Sequence, residues 1–233
     1  MGTSLPNNTF DQPIPSTLQP HLSSIIAFQN SCHALCQTLL SHFATALSIP
    51  SDWFTTRHDQ SKGPSGTVFR LLYYPSPPST YEQGVDIRAG AHSDYGSLTL
   101  LFQLPGQPGL EIRTPEGEWA AVPVDPAGSG SGSGAALPIL VNMGDLLEDW
   151  TAGLLKSTVH RVIFPEGERG DRYSIAYFNH PLDDAVLEPV PSEQVRKYAE
   201  EHGNGRRNGK VITARDHLMK RLAASYTVDE AAK

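Results

Sequence analysis

The tripeptide His92-Ser93-Asp94, followed much later in the chain by His160, is the stretch of sequence that decides both fold and chemistry. Two imidazoles and one carboxylate are the ligands that hold Fe(II) on one face and leave the other face open. Residues i and i+2 of a β-strand point to the same side, so we predict that His92 and Asp94 grip one ion while Ser93 turns away. Zinc accepts the same ligands, and a metal-binding scaffold without catalytic activity could also carry them.

Arg172 and Ser174 form a second pair with the same two-residue spacing. A guanidinium beside a hydroxyl is a good receptor for a carboxylate. If Thr158–Phe164 and Arg172–Phe178 form a hairpin, Arg172 lies ~13 Å in strand rise from the level of His160. A long arginine reaching inward and a five-carbon diacid reaching outward from the metal could share that gap. The alternative is a surface arginine paired with the preceding aspartate, which leaves the matching serine unexplained.

Short apolar or alternating runs, separated by Pro/Gly-rich turns, fill the middle of the chain. Many short strands at close spacing are typical of an antiparallel sandwich or a jelly roll, and the pattern alone does not choose between them. The predicted strands are Val68–Tyr74, Leu98–Gln103, Leu110–Arg113, Trp119–Val124, Ile139–Asn142, Thr158–Phe164 and Tyr173–Asn179.

Helical patterns flank this β-rich segment. Apolar residues at helical spacing from Leu22 predict a long helix that ends before Pro50, because a proline pushes its predecessor out of the α region. A helix over Ser192–Glu201 and another that opens with a capping box at Thr213 are predicted near the C-terminus. We therefore divide the chain into a lead-in and helical segment (1–67), a core (68–191) and C-terminal helices (192–233).

Residues 126–136 contain an unbroken glycine–serine alternation, which is the composition of a flexible coil. An interdomain linker is one interpretation. However, Asp94 and His160 lie on either side of it and must reach one metal. We therefore predict a surface-loop insertion between two strands.

The composition is that of an ordinary enzyme-sized domain with 18 basic and 25 acidic residues and a net charge of −7. Without a long basic run, nucleic acid and membranes are poor partners. The first residues lack a signal-peptide pattern and no apolar run reaches the about 18 residues of a membrane span, so the expected location is the cytoplasm. Cys32 and Cys36 are predicted to be buried small residues rather than a redox pair. The oligomeric state stays open.

Several segments now occur together in a fixed order, and they resemble the Fe(II)/2-oxoglutarate-dependent dioxygenases of the isopenicillin N synthase-like family. The resemblance is densest between Val68 and Pro191. The segments are Arg70-Leu71-Leu72-Tyr73-Tyr74-Pro75, Ala91-His92-Ser93-Asp94-Tyr95-Gly96, Val141-Asn142-Met143-Gly144-Asp145, Ser157-Thr158-Val159-His160-Arg161 and Asp171-Arg172-Tyr173-Ser174-Ile175-Ala176-Tyr177-Phe178.

The resemblance implies a mainly β fold with flanking α-helices and a double-stranded β-helix (jelly roll) core. It implies Fe(II), 2-oxoglutarate as cosubstrate and O2, with the distal carboxylate of 2-oxoglutarate held by Arg172 and Ser174. Tyr74 is expected to line the cosubstrate pocket, whereas Leu72 stands where many relatives have an asparagine, so that amide contact is missing or replaced. The implied reaction is the oxidation, usually hydroxylation, of a small specialised metabolite with release of succinate and CO2.

Two competing functions stay open at this point. Family members usually carry a substantial N-terminal region before the helix that starts near Leu22, so we expect part of it to be missing, which would suit a non-catalytic metal-binding scaffold. A non-haem iron oxidase that works without 2-oxoglutarate shares the Arg-x-Ser pair. Among other candidates, His58 and His180 are predicted to have loop or surface roles, and Asn142 and Asp145 to organise a turn.

Overall fold

The computed structural model describes residues 13–78, 80, 82, 85–126, 137–167, 170–202 and 212–231. The glycine–serine insertion predicted within 126–136 therefore lies, from residue 127 onward, outside the described residues, as do the first twelve residues.

Eight strands and four α-helices make up the described chain, with short 3₁₀ turns between the first helix and the first strand. The helices are α1 (Leu22–Ala46), α2 (Asp145–Trp150), α3 (Glu193–His202) and α4 (Ala214–Ala231). The strands are β1 (Val68–Tyr74), β2 (Ile87–His92), β3 (Leu98–Gln103), β4 (Leu110–Arg113), β5 (Trp119–Ala121), β6 (Leu140–Met143), β7 (His160–Ile163) and β8 (Arg172–Asn179).

The strands form two four-stranded antiparallel sheets. Sheet I has the order β1-β8-β3-β6, and sheet II has the order β2-β7-β4-β5. The prediction of antiparallel strands with flanking α-helices is confirmed, although the described helices contain more residues than the strands. Among the described helices, none combines the length and apolar character needed to cross a membrane.

The hairpin on which the estimated separation of Arg172 and His160 depended does not form. Strand β7 pairs with β2 and β4 in sheet II, whereas β8 pairs with β1 and β3 in sheet I. The chain therefore crosses from one sheet to the other between them, and that estimate does not apply. Proline and glycine mark a change of direction in the chain, but they do not say which strand the next one will pair with.

Sheet I has one face toward the helices and one toward sheet II, and β8 shows the alternation that separates them. Tyr177 belongs to the helix-side core, whereas Arg172 and Ser174 face the space between the sheets. Helix α1 covers the outer face, where Phe28 makes edge contacts with Phe69 and Phe102. Farther along that face, Tyr73 and Tyr173 stack on each other and stay exposed.

Helix α1 contributes much of the core. The prediction for its cysteines is confirmed, because Cys32 and Cys36 are both buried and both free. Burial raises the pKa of the Cys36 thiol to about 12, so it stays protonated and unreactive.

Helix α2 was not predicted, since the sequence suggested only a turn at Asp145. The helix begins directly after Gly144, where a Cβ atom would lie 2.3 Å from the carbonyl oxygen of Gly96. Only glycine allows this approach, which brings the start of α2 against the loop that follows β2.

Candidate metal centre and its cavity

The three predicted metal ligands come together between the sheets. His92 ends β2 and His160 begins β7, where the two residues are direct cross-strand partners. Potential ligand atoms of His92, Asp94 and His160 all lie within 4.8 Å of one another. One detail of the prediction is wrong: Asp94 lies beyond the end of β2, so strand alternation does not determine the direction of its side chain.

Both imidazoles are oriented by the backbone. His92 Nδ1 lies 2.7 Å from the carbonyl oxygen of Gly90, and His160 Nδ1 lies 3.0 Å from that of Thr158. A carbonyl oxygen can only accept, so each Nδ1 carries the proton and each Nε2 keeps its lone pair for a metal. His160 Nε2 is 3.7 Å from Asp94 Oδ1.

Asp94 is held by its other oxygen. Oδ2 accepts hydrogen bonds from Thr99 Oγ1 at 2.7 Å and from Asn142 Nδ2 at 2.9 Å. Thr99 and Asn142 are cross-strand partners in β3 and β6, so sheet I presents both donors to a candidate ligand on the loop that follows β2. Asn142 therefore supports the candidate ligand, rather than a turn as predicted. The signal that could have identified it is a polar residue inside an otherwise apolar strand.

Backbone contacts fix the loop that carries Asp94. The amide of Asp145 donates to the Asp94 carbonyl oxygen at 2.7 Å, and the amide of Leu146 donates to the Gly96 carbonyl oxygen at 3.1 Å. At the end of the loop, His58 Nε2 lies 2.9 Å from Ser97 Oγ. The loop is thus attached to the start of α2 on one side and to a histidine on the other.

The prediction that His58 and His180 have loop or surface roles is wrong in its surface part, because both side chains are buried. Burial lowers the pKa of His58 to about 3 and that of His180 to about 4. His58 Nδ1 donates to the Phe54 carbonyl oxygen at 2.7 Å, so its Nε2 accepts from the Ser97 hydroxyl. His180 lies under the same loop, where a Cβ on Gly96 would sit 2.7 Å from His180 Nε2. Both rings are therefore neutral supports of the loop.

Arg172 is the other polar feature of the space between the sheets. Its side chain is among the most buried in the described chain, at 1% exposure. Nη2 donates to Gln103 Oε1 at 3.0 Å, Nη1 lies 3.4 Å from Ser174 Oγ, and the guanidinium carbon is 5.4 Å from the centre of the Tyr74 ring. Nε is buried and has no hydrogen-bond partner among the residues that the structure describes.

Within the described residues, no carboxylate forms an ion pair with Arg172. The alternative of a surface arginine paired with Asp171 is therefore wrong, because Asp171 instead accepts from the backbone amide of Ser76 and the hydroxyl of Tyr73. Burial lowers the pKa of Arg172. Arginine nevertheless stays protonated in proteins, so the described part of the chain buries a cation here without a counter-ion.

A cavity joins the two groups. It encloses an empty volume of about 640 Å³ between the sheets, part of which opens to solvent. The residues that line it come from both sheets and include the candidate metal ligands, Arg172, Ser174, Tyr74 and Leu72; the others are Thr99, Leu101, Leu110, Ile112, Leu140, Asn142, Val162, Ala176 and Phe178. Leu72 reaches the cavity as the resemblance implies, but it offers only hydrocarbon.

The residues fit Fe(II) and a dicarboxylate. Two imidazole nitrogens and one carboxylate oxygen converge from one side, and the cavity leaves the other side open, as a facial iron site requires. The unpaired Nε of buried Arg172 provides a donor of the right charge for a carboxylate in the same cavity.

This fold and donor set define a mononuclear non-haem metal protein of the two-histidine, one-carboxylate class. The model of the 2OG-Fe(II) oxygenase superfamily matches residues 65–181, and the chain belongs to that family.

Individual relatives agree with this assignment. A Schizosaccharomyces pombe protein named UPF0676 protein C1494.01 is 39% identical over 88% of this chain and 57% of its own length. The 2-oxoglutarate-dependent dioxygenase frbA of Dothideomycetidae sp. is 31% identical over 93% of this chain and 61% of its own length. The crystal structure of a full-length Neurospora crassa protein in complex with alpha-KG has a TM-score of 0.73 and 30% identity, and covers 95% of this chain and 62% of that one. The chain thus spans roughly three fifths of each relative.

Proposed function

We propose that this chain is an Fe(II)- and 2-oxoglutarate-dependent dioxygenase that hydroxylates a small organic metabolite and releases succinate and CO2. The observation that carries the proposal is buried Arg172, whose Nε has no hydrogen-bond partner and whose charge has no counter-ion among the described residues, in the same cavity as His92, Asp94 and His160. A metal site alone would suit several chemistries. A metal site that shares its cavity with an unsatisfied cation favours a cosubstrate with one end on the metal and a carboxylate at the other.

In this proposal His92 Nε2, Asp94 Oδ1 and His160 Nε2 hold Fe(II), and Arg172 with Ser174 holds the distal carboxylate of 2-oxoglutarate. When bound, the iron supplies the activation of O2 and the oxidation of the substrate. The protein's own residues bind and orient. Thr99 and Asn142 keep one oxygen of Asp94 occupied so that the other is free, and the carbonyls of Gly90 and Thr158 fix the imidazole tautomers.

Tyr74 is proposed as a wall of the cosubstrate pocket, because its ring lies against the Arg172 guanidinium. Apolar side chains make up most of the remaining lining and exclude water around the cosubstrate. We further propose that the two sheets are a double-stranded β-helix (jelly roll), with the catalytic core over residues 68–191 between the helical segments 1–67 and 192–233.

The substrate is proposed to bind near Phe178, at the opposite end of β8 from Arg172. Phe178 is the cross-strand partner of Thr99, which donates a hydrogen bond to Asp94. The guanidinium carbon of Arg70 lies 5.5 Å from the centre of the Phe178 ring. A cation and an aromatic face beside the metal suit a small polar or planar molecule. Relatives are consistent with this class: one is named proline hydroxylase buaE, 32% identical, and the full-length Neurospora crassa protein has been crystallised with alpha-KG and thymine.

The proposal is tested by anaerobic titration of the protein with Fe(II) and then 2-oxoglutarate, following the visible charge-transfer band of the chelate. The band should form with wild-type protein, be lost in Arg172→Ala, and survive in Arg113→Ala, an exposed arginine used as the control. Iron binding without a band would support the oxidase that works without 2-oxoglutarate. No iron binding at all would support the non-catalytic scaffold.

A further inference from the structure

The C-terminal helix contacts the loop that supplies Asp94. Arg221 Nη2 of α4 lies 2.6 Å from Asp145 Oδ2 and 3.2 Å from Ser93 Oγ. The guanidinium carbon of the same arginine lies 5.2 Å from the centre of the Tyr95 ring. One side chain of α4 therefore touches both chain neighbours of Asp94.

These contacts close into a network around Asp145. The Ser93 hydroxyl donates to Asp145 Oδ2 at 3.0 Å, and the Asp145 amide donates to the Asp94 carbonyl oxygen at 2.7 Å. Asp145 thus holds the loop through its side chain and its backbone at once, while Arg221 neutralises its carboxylate. The Asp94 backbone is therefore linked to α4 through Asp145, whose carboxylate contacts Arg221 and whose amide donates to the Asp94 carbonyl oxygen.

Two further contacts fix α4 in this place. The Tyr95 hydroxyl pairs with Ser225 Oγ one helical turn beyond Arg221, and His217 Nε2 lies 3.2 Å from Asp149 Oδ2 of α2. Helix α4 is therefore attached to the loop of residues 93–97 that carries Asp94, which we call the metal loop, and to α2.

The Arg221–Asp145 pair differs from another ion pair that α4 makes to the body of the protein. Arg215 pairs with Asp183 at 2.8 Å, but the Arg215 side chain is 66% exposed and the pair lies away from the metal loop. The two carboxylates are similarly buried, at 18% exposure for Asp183 and 16% for Asp145, and Arg221 is 39% exposed. Exposed ion pairs contribute little by themselves, so what distinguishes the Arg221–Asp145 pair is the Ser93 hydroxyl that bonds to both partners.

We propose that Arg221 is a positioning residue for the metal site: through Asp145 and Ser93 it sets the loop so that Asp94 Oδ1 faces the two imidazoles. Docking of the C-terminal helix and binding of Fe(II) are then coupled, and each strengthens the other. This inference rests on the proposed function, because it requires that the three candidate ligands hold iron.

The first test compares the affinities of Arg221→Ala, Arg221→Lys and Arg215→Ala for Fe(II) in anaerobic titration. Loss of an outer partner typically weakens metal binding about 10- to 100-fold, and we expect about 10-fold for Arg221→Ala. Lysine should recover part of this loss, because its ammonium can still pair with Asp145. Arg215→Ala should bind Fe(II) like the wild type. At saturating Fe(II), the affinity for 2-oxoglutarate should stay unchanged in all three variants.

Thermal melting of each apo variant identifies general unfolding. If Arg221→Ala does not fold, Ser93→Ala provides the same test by removing one hydroxyl of the network. An unchanged Fe(II) affinity in the folded variant, or an equal loss in Arg215→Ala, would overturn the positioning role. Failure of the wild type to bind Fe(II) would instead refute the proposed function itself.

The second test uses the reciprocal effect, measured by hydrogen exchange of the α4 amides with and without Fe(II). Iron should slow exchange in the wild type and in Arg215→Ala, and do so less in Arg221→Ala. A purely structural arginine would raise exchange by the same factor with and without iron, which would contradict the coupling.

Discussion

The two ends of the cavity differ in how far their polar groups are satisfied by the described part of the protein. At the metal end, Asp94 Oδ2 has two hydrogen-bond donors and both imidazole Nδ1 atoms have carbonyl acceptors. At the other end, Arg172 is buried, uses two neighbouring oxygens and leaves Nε unpaired. The metal end is preorganised, whereas the Arg172 end is incomplete until an anion arrives.

This difference predicts that the two ends of the cavity affect the stability of the ligand-free protein in opposite ways. A preorganised metal site binds without rearrangement, while an unpaired buried charge lowers stability until a carboxylate neutralises it. Substitutions at the two ends should therefore have opposite effects on the ligand-free protein, although each weakens the binding of its own ligand.

The largest effect is expected for Asp94→Ala. Removing a metal ligand should cost more than the about 100-fold that loss of an outer partner can cost, so Fe(II) binding should be abolished in anaerobic titration. The free energy of unfolding of the apo protein should also fall, by about 1–3 kcal/mol, because Thr99 and Asn142 lose their acceptor. Asp52→Ala, at an exposed position, is the control. Retained Fe(II) affinity in Asp94→Ala would refute the site.

The opposite sign is expected for Arg172→Met. Its free energy of binding to 2-oxoglutarate should weaken by about 2–5 kcal/mol, because a buried charge-assisted contact to the carboxylate is lost. Its apo form should nevertheless unfold at higher denaturant concentration than the wild type, because an uncompensated buried cation is replaced by an apolar chain. Arg113→Met should change neither quantity. An apo Arg172→Met that is less stable than the wild type would mean that the cation is already compensated.

The pH dependence of stability tests the support beneath the metal loop. His58 and His180 have folded pKa values of about 3 and about 4, whereas an unfolded histidine has a pKa of about 6.5. Their contribution is therefore intact above pH 6.5 and is lost as the pH falls toward 4, because only the unfolded chain takes up the protons. Together the two histidines should lower the free energy of unfolding by about 2–3 kcal/mol for each unit that the pH falls in that window.

Denaturant unfolding at pH 7 and pH 5 measures this slope. His58→Gln should reduce it by the share of one histidine. Equal slopes in the wild type and His58→Gln would show that His58 is not held neutral.

The smallest effect is expected for Asn142→Ala. Thr99 still donates to Asp94 Oδ2 in this variant, so the carboxylate keeps one of its two supports. Fe(II) affinity should fall by about 10-fold, with 2-oxoglutarate affinity unchanged at saturating iron. A loss as large as that of Asp94→Ala would mean that Asn142 ligates the metal itself.

The sequence predicted what depends on local pattern. β1, β3 and β4 have the predicted bounds because glycine and proline delimit their apolar runs. The bounds of β2 were not predicted: the sequence placed His92 and Asp94 in one strand, whereas the strand is Ile87–His92, which contains Gly90, has no regular alternation and pairs irregularly with β7.

The features that could not be predicted depend on residues far apart in the chain. The partner of β7 is set by the packing of two sheets, and the burial of His58 by a loop beyond the first strand. The roles of Asn142 and Arg221 follow from contacts to Asp94 and Ser93 that no spacing reveals. By contrast, the residue types and spacing of His92, Asp94 and His160 were enough to predict a group that the fold brings together.

The order of sheet I has a consequence for folding. Among the described strands, its first pairs only with its last, so that Val68 meets Phe178 and Tyr74 meets Arg172. During synthesis the backbone groups on both edges of β1 lack a strand partner among the described strands until β8 has left the ribosome. Pairing so distant in sequence slows folding into the millisecond-to-second range and exposes the waiting strand to other chains. Because β8 also carries Arg172 and Ser174, the Arg172 end of the cavity forms only once the sheet is complete.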